Sequence, residues 1–182
     1  HPDQIDLDDQ AVYENIFHKG KWVGIFQFTE NGAQTFAKQV KPRSIIDISA
    51  ITSIYRPGPL SAGVDREFVE AHNSPENVKY INDLVQEVTE ETHGFLIFQE
   101  QIAMLAHKLG RNLSLDEGNL LRKVLTKKGT GKGHEVKDAI HEKFVLGCQD
   151  KGMPLYQAED LWKTFEYFSG YGFNKSHAVS YS

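Results

Sequence analysis

The residues best suited to chemistry lie in the segment SLDEGNLLRKVLTKK, residues 114–128. Arg122 and Lys123 interrupt its apolar positions, and Lys127 and Lys128 stand at its end. Guanidinium and ammonium groups on an exposed helix face bind phosphate well. A run of charges is also what an ordinary solvated helix surface shows. The segment alone therefore leaves phosphate binding and a plain surface as alternatives.

Two further segments bring polar groups to fixed or crowded positions. In YRPGPL, residues 55–60, two prolines flank a glycine, so the backbone must form a fixed turn that presents Arg56 in one direction. A rigid corner with a surface arginine explains this pattern equally well. In YGFNKSHA, residues 171–178, aromatic, amide, ammonium, hydroxyl and imidazole groups occur together. Phosphate, sugar and base recognition use such groups.

Several familiar catalytic patterns do not fit this sequence. KKGTGKGH, residues 127–134, lacks the spacing of a phosphate loop and follows a helical pattern, so we interpret it as a flexible basic connector. His134, His141 and Cys148 recur every seven residues. On a helix this places them about 10 Å apart, too far to bind one ion together. No Asp-x-Asp pair follows a strand-like apolar run, so a two-metal carboxylate site is not supported in this chain, and no metal-binding residue is predicted.

The elements that must position these groups are helices. In residues 114–128, Ser114 and Glu117 have the spacing of a capping box, which satisfies two amides at a helix start. Apolar residues of the same segment recur at helical spacing and predict a buried stripe of Leu120, Leu121, Val124 and Leu125. This stripe would leave Arg122 and Lys123 on the outer face.

Helical patterns run through most of the remaining chain, so an all-α fold is predicted, mainly helical with at most a minor short β element. Residues 20–28 are the exception and predict a buried strand or extended piece. Trp162, Phe165 and Phe168 recur at near-helical spacing and are interpreted as core rather than as a platform for stacking bases. The other predicted helices cover residues 7–18, 31–39, 43–54, 60–72, 95–109, 134–150 and 155–169.

Length and composition describe an ordinary globular protein. The chain has 182 residues, 40% of them hydrophobic, which supports one good core and predicts a single domain over residues 1–182. A net charge of −5 argues against non-specific coating of duplex DNA without excluding a local basic site. No apolar run is long enough to span a membrane, and a single cysteine fits a reducing compartment. Because the sequence begins with His1 instead of Met, we expect a piece of a larger protein.

Five segments in order resemble one family, the fingers domain of the bacterial DNA polymerase III alpha subunit, a C-family replicative DNA polymerase. They are GIFQFTENG (24–32), YRPGPLSAG (55–63), THGFLIFQEQI (92–102), LLRKVLTKK (120–128) and FSGYGFNKSHAVSY (168–181). The resemblance implies a largely helical fingers domain. Residues 1–60 would form a part near the palm, and residues 61–182 the main helical part.

The resemblance also implies a function. The parent protein would be a DNA-directed DNA polymerase, a nucleotidyltransferase of DNA replication, whose fingers bind the incoming dNTP and the primer-template DNA. Its catalytic aspartates, with two Mg²⁺ ions, would lie in the palm outside this chain, so the chain alone is expected to be inactive and without a cofactor. Implied partners are other polymerase domains and replisome subunits, with no membrane and a cytoplasmic location. A stand-alone helical protein-interaction module without nucleotide binding is the alternative.

The resemblance assigns candidate residues to the nucleotide pocket. The family's paired arginines that reach the triphosphate fall on Arg122 and Lys123, where lysine keeps the charge but loses the bidentate fork. The family usually reads GKK next, whereas this chain has Thr126 before two lysines. A buried histidine bonded to a backbone carbonyl is an alternative for His177. The remaining candidates are Lys127, Lys128, Arg56, Asn174, Lys175, Ser176 and His177.

Overall fold

The computed structural model describes residues 4–126, 131–169 and 172–182. Among these residues the regular elements are helical, and extended pairing is limited to an isolated parallel bridge between Phe98 and Phe173. The prediction of an all-α fold is therefore confirmed. Within the same ranges, no helix is long and apolar enough to cross a lipid bilayer.

The helices follow one another along the chain, with a longer stretch of turns and irregular backbone at residues 18–30. A π-helical turn, Tyr13–Phe17, continues the first of them, and short 3₁₀ turns occur at Pro75–Asn77 and Glu90–Thr92. In chain order the α-helices are α1 (Gln10–Val12), α2 (Asn31–Val40), α3 (Ile45–Ile54), α4 (Pro57–Ser61), α5 (Val64–Asn73), α6 (Asp83–Thr89), α7 (Gln99–Leu109), α8 (Leu115–Thr126), α9 (Gly131–Asp150), α10 (Leu155–Ser169) and α11 (Lys175–Tyr181).

The chain divides into two compact units. The first unit comprises His1–Lys79, Glu91–Phe95 and Lys175–Ser182, and the second comprises Tyr80–Glu90 and Leu96–Asn174. These units describe packing within the chain. The single domain with a palm-proximal part and a main helical part stays a prediction.

In the first unit, α3 is the buried helix. Its Ile48, Ile51 and Ile54 are each at most 4% exposed, and α2 and α11 both pack against it. The hydroxyl of Ser53 donates to the carbonyl of Ser49, four residues earlier, which satisfies a polar group inside the core. A serine can therefore occupy this buried helix without an unpaired hydroxyl.

In the second unit, α7 is the central helix and contacts α6, α8 and α9. Ile102, Leu105 and Leu109 recur at helical spacing along α7, within the helix predicted at residues 95–109, and are each at most 2% exposed. The aromatic residues of α10 also lie in the core, as predicted. Trp162 and Phe165 are buried, and Phe168 packs against the same core.

The contact between α7 and α8 is unusually close because a glycine lies in it. A Cβ atom at Gly118 would stand 2.4 Å from the carbonyl oxygen of Ala103 in α7. With Leu121, which is fully buried, Gly118 defines the inner face of α8. Leu120 is 43% exposed, so its predicted place in the buried stripe is wrong. Helix α8 therefore faces α7 with Gly118 and Leu121, and Arg122, one turn after Gly118, lies at the edge of this contact.

Residues 20–28 form turns instead of the predicted strand. The amides of Ile25 and Phe28 donate to carbonyls three residues earlier, at Trp22 and Ile25. The ring of Trp22 stacks on Phe28 with centroids 5.3 Å apart, and both rings contact Phe17. The apolar character of this segment thus reflects an aromatic cluster within the first unit.

Two segments predicted as a turn and a loop contain helix. Pro57 and Pro59 lie in the first turn of α4, where a backbone amide has no helical partner to lose. The predicted flexible connector also enters a helix, because α9 begins at Gly131. Packing of Ile140, Phe144 and Cys148 in the core stabilises α9, so its glycine-containing start does not prevent the helix.

Candidate nucleotide-binding site

The start of α7 forms the base of the site in the second unit. The amide of Gln99 donates to the carbonyl of Phe173 at 2.9 Å, and the amide of Phe173 donates to the carbonyl of Ile97 at 3.0 Å. The buried side chain of Gln101 accepts from the amides of Ile97 and Phe98 at 2.9 and 3.0 Å. Backbone pairing and this side chain therefore fix the first turn of α7 beside residues 172–174.

Arg122 is held at this turn by neutral partners. Its Nε donates to Oδ1 of Asn119 at 3.0 Å, and its Nη1 donates to Oε1 of Gln99 at 3.3 Å. Gln99 in turn donates from Nε2 to the carbonyl of Gly172 at 3.1 Å. The result is a continuous hydrogen-bonded series from α8 through α7 to Gly172.

The charge of Arg122 is not compensated within the described part of the chain, where no carboxylate pairs with it. Arg111 of the same unit provides a contrast. Its guanidinium binds both carboxylate oxygens of Asp150, and this hydrogen bonding raises the pKa of Arg111. Arg122 is half-buried, oriented by amides and still positively charged, which suits it to an anionic ligand.

The residues after Arg122 in α8 do not share its environment. Successive residues of a helix point about 100° apart, so Lys123 cannot join Arg122 at Gln99, and it is exposed. The hydroxyl of Thr126 lies 3.0 Å from the carbonyl oxygens of both Arg122 and Lys123. It therefore binds the last turn of its own helix. Lys127 and Lys128 lie outside the described residues.

Asn174 meets the same end of α7. Its Nδ2 donates to Oε1 of Glu100 at 3.0 Å, and both side chains are half-buried. Arg122 and Asn174 thus contact consecutive residues, Gln99 and Glu100. Of the predicted site residues, these two are brought together by the described contacts of the second unit.

The other predicted residues belong to the first unit. Lys175 places its ammonium 2.6 Å from both carboxylate oxygens of Glu91, so its charge is paired. Ser176 is exposed at the start of α11. His177 is also exposed, with its ring centroid 4.6 Å from that of Tyr181, so the alternative of a buried histidine is wrong.

Arg56, also of the first unit, is held by the backbone. It is half-buried, and its Nε donates to the carbonyl of Ser53 in the last turn of α3 at 2.7 Å. Burial lowers the pKa of the Arg56 guanidinium, which remains charged in a protein. A cation at this position also complements the negative end of a helix. The contact identifies a structural role for Arg56 at the end of α3.

Two sets of residues near the candidate sites were not predicted from the sequence. Gln99 and Asn119 orient Arg122, and the amide-rich motif at 92–102 was a usable signal for the first of them. The second set is a group of three possible metal ligands in the first unit, Asp47, His72 and His93. These residues are far apart in the sequence, and no spacing pattern could have found them.

The chain has clear relatives. A family model described as "Bacterial DNA polymerase III alpha subunit finger domain" matches residues 1–152. DNA polymerase III subunit alpha of Chlamydia trachomatis is 36% identical over 177 residues, which is 97% of this chain and 14% of that protein. Those of Campylobacter jejuni and Aquifex aeolicus are each 34% identical over 178 residues, which is 98% of this chain and 14% and 15% of the relatives.

The chain thus spans about a seventh of the length of these relatives. The family model covers most of the chain, and the three relatives match almost all of it. The chain therefore belongs to the finger-domain family of the bacterial DNA polymerase III alpha subunit.

Proposed function

We propose that the chain is the fingers part of a DNA-directed DNA polymerase and that Arg122 binds the triphosphate of the incoming dNTP. The observation that carries this proposal is a half-buried guanidinium oriented by the neutral amides of Asn119 and Gln99. An arginine already paired with a carboxylate, such as Arg111, would have to break that pair first. We infer that the anionic ligand is a dNTP from the family to which the chain belongs.

The proposed reaction is template-directed phosphoryl transfer. The 3′ hydroxyl of the primer attacks the α-phosphorus of the dNTP, and pyrophosphate leaves. Arg122 would stabilise the negative charge that accumulates on the β- and γ-phosphates, and Asn174 would offer an amide beside it. Lys123 would add charge from the exposed face of α8. Template and primer DNA are the other proposed ligands.

In the longer protein, two Mg²⁺ ions held by aspartates outside this chain would stabilise the attacking and leaving oxygens. The described residues supply one group of three possible ligands, with one carboxylate and two imidazoles. Mg²⁺ prefers oxygen ligands, so this group does not fit it, and we assign no step of the reaction to it.

The first-unit candidates have weaker support. Lys175 already pairs with Glu91, whereas Ser176 and His177 are exposed at the start of α11. Contacts of this helix with nucleotide or DNA remain part of the proposal, as does a contribution of Arg56 to orienting the pocket. Other polymerase domains and replisome subunits are the proposed protein partners, and the proposed role implies the cytoplasm.

The test is a calorimetric or fluorescence titration of the 182-residue chain with a dNTP. Arg122→Ala should raise Kd by about tenfold, because hydrogen bonds to a charged group contribute roughly 1.5–3 kcal/mol and solvent screening favours the lower end. Arg111→Ala is the matched control and should leave Kd unchanged. If the folded Arg122→Ala chain binds dNTP as tightly as the unchanged chain, the proposed contact is wrong.

A primer-extension assay addresses the catalytic part of the proposal. The isolated chain should incorporate no nucleotide, because the aspartates are proposed to lie elsewhere. Robust Mg²⁺-dependent synthesis would refute that assignment. The alternative, a stand-alone interaction module, predicts no dNTP affinity for the unchanged chain, so the titration also separates the two functions.

A further inference from the structure

We propose that Asp47, His72 and His93 form a binding site for a divalent transition-metal ion, with Zn²⁺ as the best match. The site lies within the first unit, and the inference does not rest on the proposed polymerase function. One possible ligand atom from each residue lies within 4.8 Å of the other two. Two imidazoles and one carboxylate are a ligand set that zinc accepts, with a fourth position left for water.

Asp47 and His72 already have the spacing of two ligands on one ion. Oδ2 of Asp47 lies 3.2 Å from Nε2 of His72, and the two residues are 7% and 3% exposed. In a tetrahedral zinc site with bonds of about 2.0–2.1 Å, neighbouring ligand atoms lie roughly 3.3 Å apart. The third ligand therefore has to move inward by at most about 1.5 Å.

Two buried nitrogen atoms in this group have no hydrogen-bond partner within the described residues. They are Nδ1 of His72 and Nε2 of His93. Buried polar atoms are nearly always hydrogen-bonded, so two unpaired nitrogens in adjacent rings need an explanation. The ring centroids lie 4.8 Å apart and meet edge to face at 80°. A metal ion bound between Nε2 of His72 and Oδ2 of Asp47 could take Nε2 of His93 as its third ligand and so use a lone pair that otherwise has no partner.

The elements that hold the three ligands are firmly placed. Asp47 lies in the first turn of α3, where its amide donates to the side chain of Ser44 and its Oδ2 accepts from the amide of Arg43. His72 is in the last turn of α5. Phe68, fully buried one turn before it, contacts the rings of both histidines. Packing thus fixes two ligands before an ion binds.

His93 is the adjustable ligand. It follows the 3₁₀ turn Glu90–Thr92 with φ of 53° and precedes Gly94 at 88°. With Gly94 and Phe95 it also lines a groove on the first unit, together with Glu67, Glu70 and Lys79. The groove gives an ion a path to His93. Glu67 and Glu70 would attract a cation along that path.

The experiment is a titration of the chelator-treated 182-residue chain with Zn²⁺, repeated with Co²⁺, whose visible absorption reports coordination geometry. We expect one tightly bound ion per chain and a higher melting temperature with Zn²⁺. His93→Asn should weaken binding at least about tenfold and abolish the rise in melting temperature. Asparagine tolerates a left-handed backbone, so this variant should fold. Asp47→Asn should weaken binding similarly.

The matched control is His141→Asn. Nε2 of His141 also lies 3.0 Å from a carboxylate oxygen, that of Glu159. Among the described residues, however, this pair has no third possible ligand close enough to bind the same ion. This variant should bind Zn²⁺ like the unchanged chain. The proposal is overturned if the unchanged chain binds neither Zn²⁺ nor Co²⁺, or if His93→Asn retains the full affinity. Because no dNTP is present, neither result bears on the polymerase proposal.

Discussion

Gly118→Ala tests whether the close approach of α7 and α8 positions Arg122. The added methyl group would lie 2.4 Å from the carbonyl oxygen of Ala103. This oxygen belongs to the backbone of α7, so it cannot rotate away as the end of a side chain could. Overpacking costs about 1–3 kcal/mol, and a clash with a backbone atom, which cannot swing away, belongs to the upper part of that range, at about 2–3 kcal/mol. Alanine regains about 1 kcal/mol of helix propensity over glycine. We expect a net loss of about 1–2 kcal/mol in the free energy of unfolding.

For a chain of this size, that loss lowers the melting temperature by about 2–8 °C. Circular dichroism of thermal unfolding measures the change, and Lys123→Ala on the exposed face of the same helix is the control. It should stay within about 0.5 kcal/mol of the unchanged chain. Displacement of α8 should also weaken the 3.3 Å contact from Arg122 to Gln99 and reduce dNTP affinity. A Gly118→Ala chain that melts at or above the original temperature would refute the close contact.

Two further predictions concern titratable groups in the same unit. Hydrogen bonds, first from Lys143 and then from the Ser114 amide, lower the pKa of Glu117 below its ordinary 4.5. The stability that the ionised carboxylate contributes is therefore fully present above pH 4.5. It is lost as pH falls through the lower pKa that Glu117 has in the folded chain. Glu117→Gln should therefore flatten the acid-side decline in melting temperature, and an unchanged decline would contradict this. Burial raises the pKa of Cys148 to about 11, so a thiol reagent at pH 8 should label the folded chain far more slowly than the urea-unfolded chain. Equal rates would show that the thiol is accessible.

Features set by neighbouring residues could be predicted from the sequence. The capping box formed as expected, with the Ser114 amide donating to Glu117 at 2.8 Å and the Glu117 amide donating to the Ser114 hydroxyl at 3.2 Å. The buried stripe of α7 also follows from helical spacing alone. Helix α6 was not predicted, although Asn82 caps it by accepting from the amide of Val85. At seven residues, α6 is too short to show a clear helical period.

Features set by distant contacts could not be predicted. Helical spacing places Leu120 and Leu121 on neighbouring parts of one surface, and only the approach of Gly118 to α7 decides which of them is buried. The group of Asp47, His72 and His93 assembles from α3, α5 and the turn before α7. Each of these residues fits an ordinary local pattern, so their meeting depends on tertiary packing.

The pairing of Phe98 with Phe173 has a topological consequence. The chain passes from Phe98 into α7 and comes back to Phe173 after α10. The helices between these two residues therefore form a region whose two ends are held side by side by backbone hydrogen bonds. A change in the length of a connection within this region would leave the distance between its ends set by the same backbone hydrogen bonds. Gln99 and Asn174, which lie at these ends, would then keep their mutual arrangement.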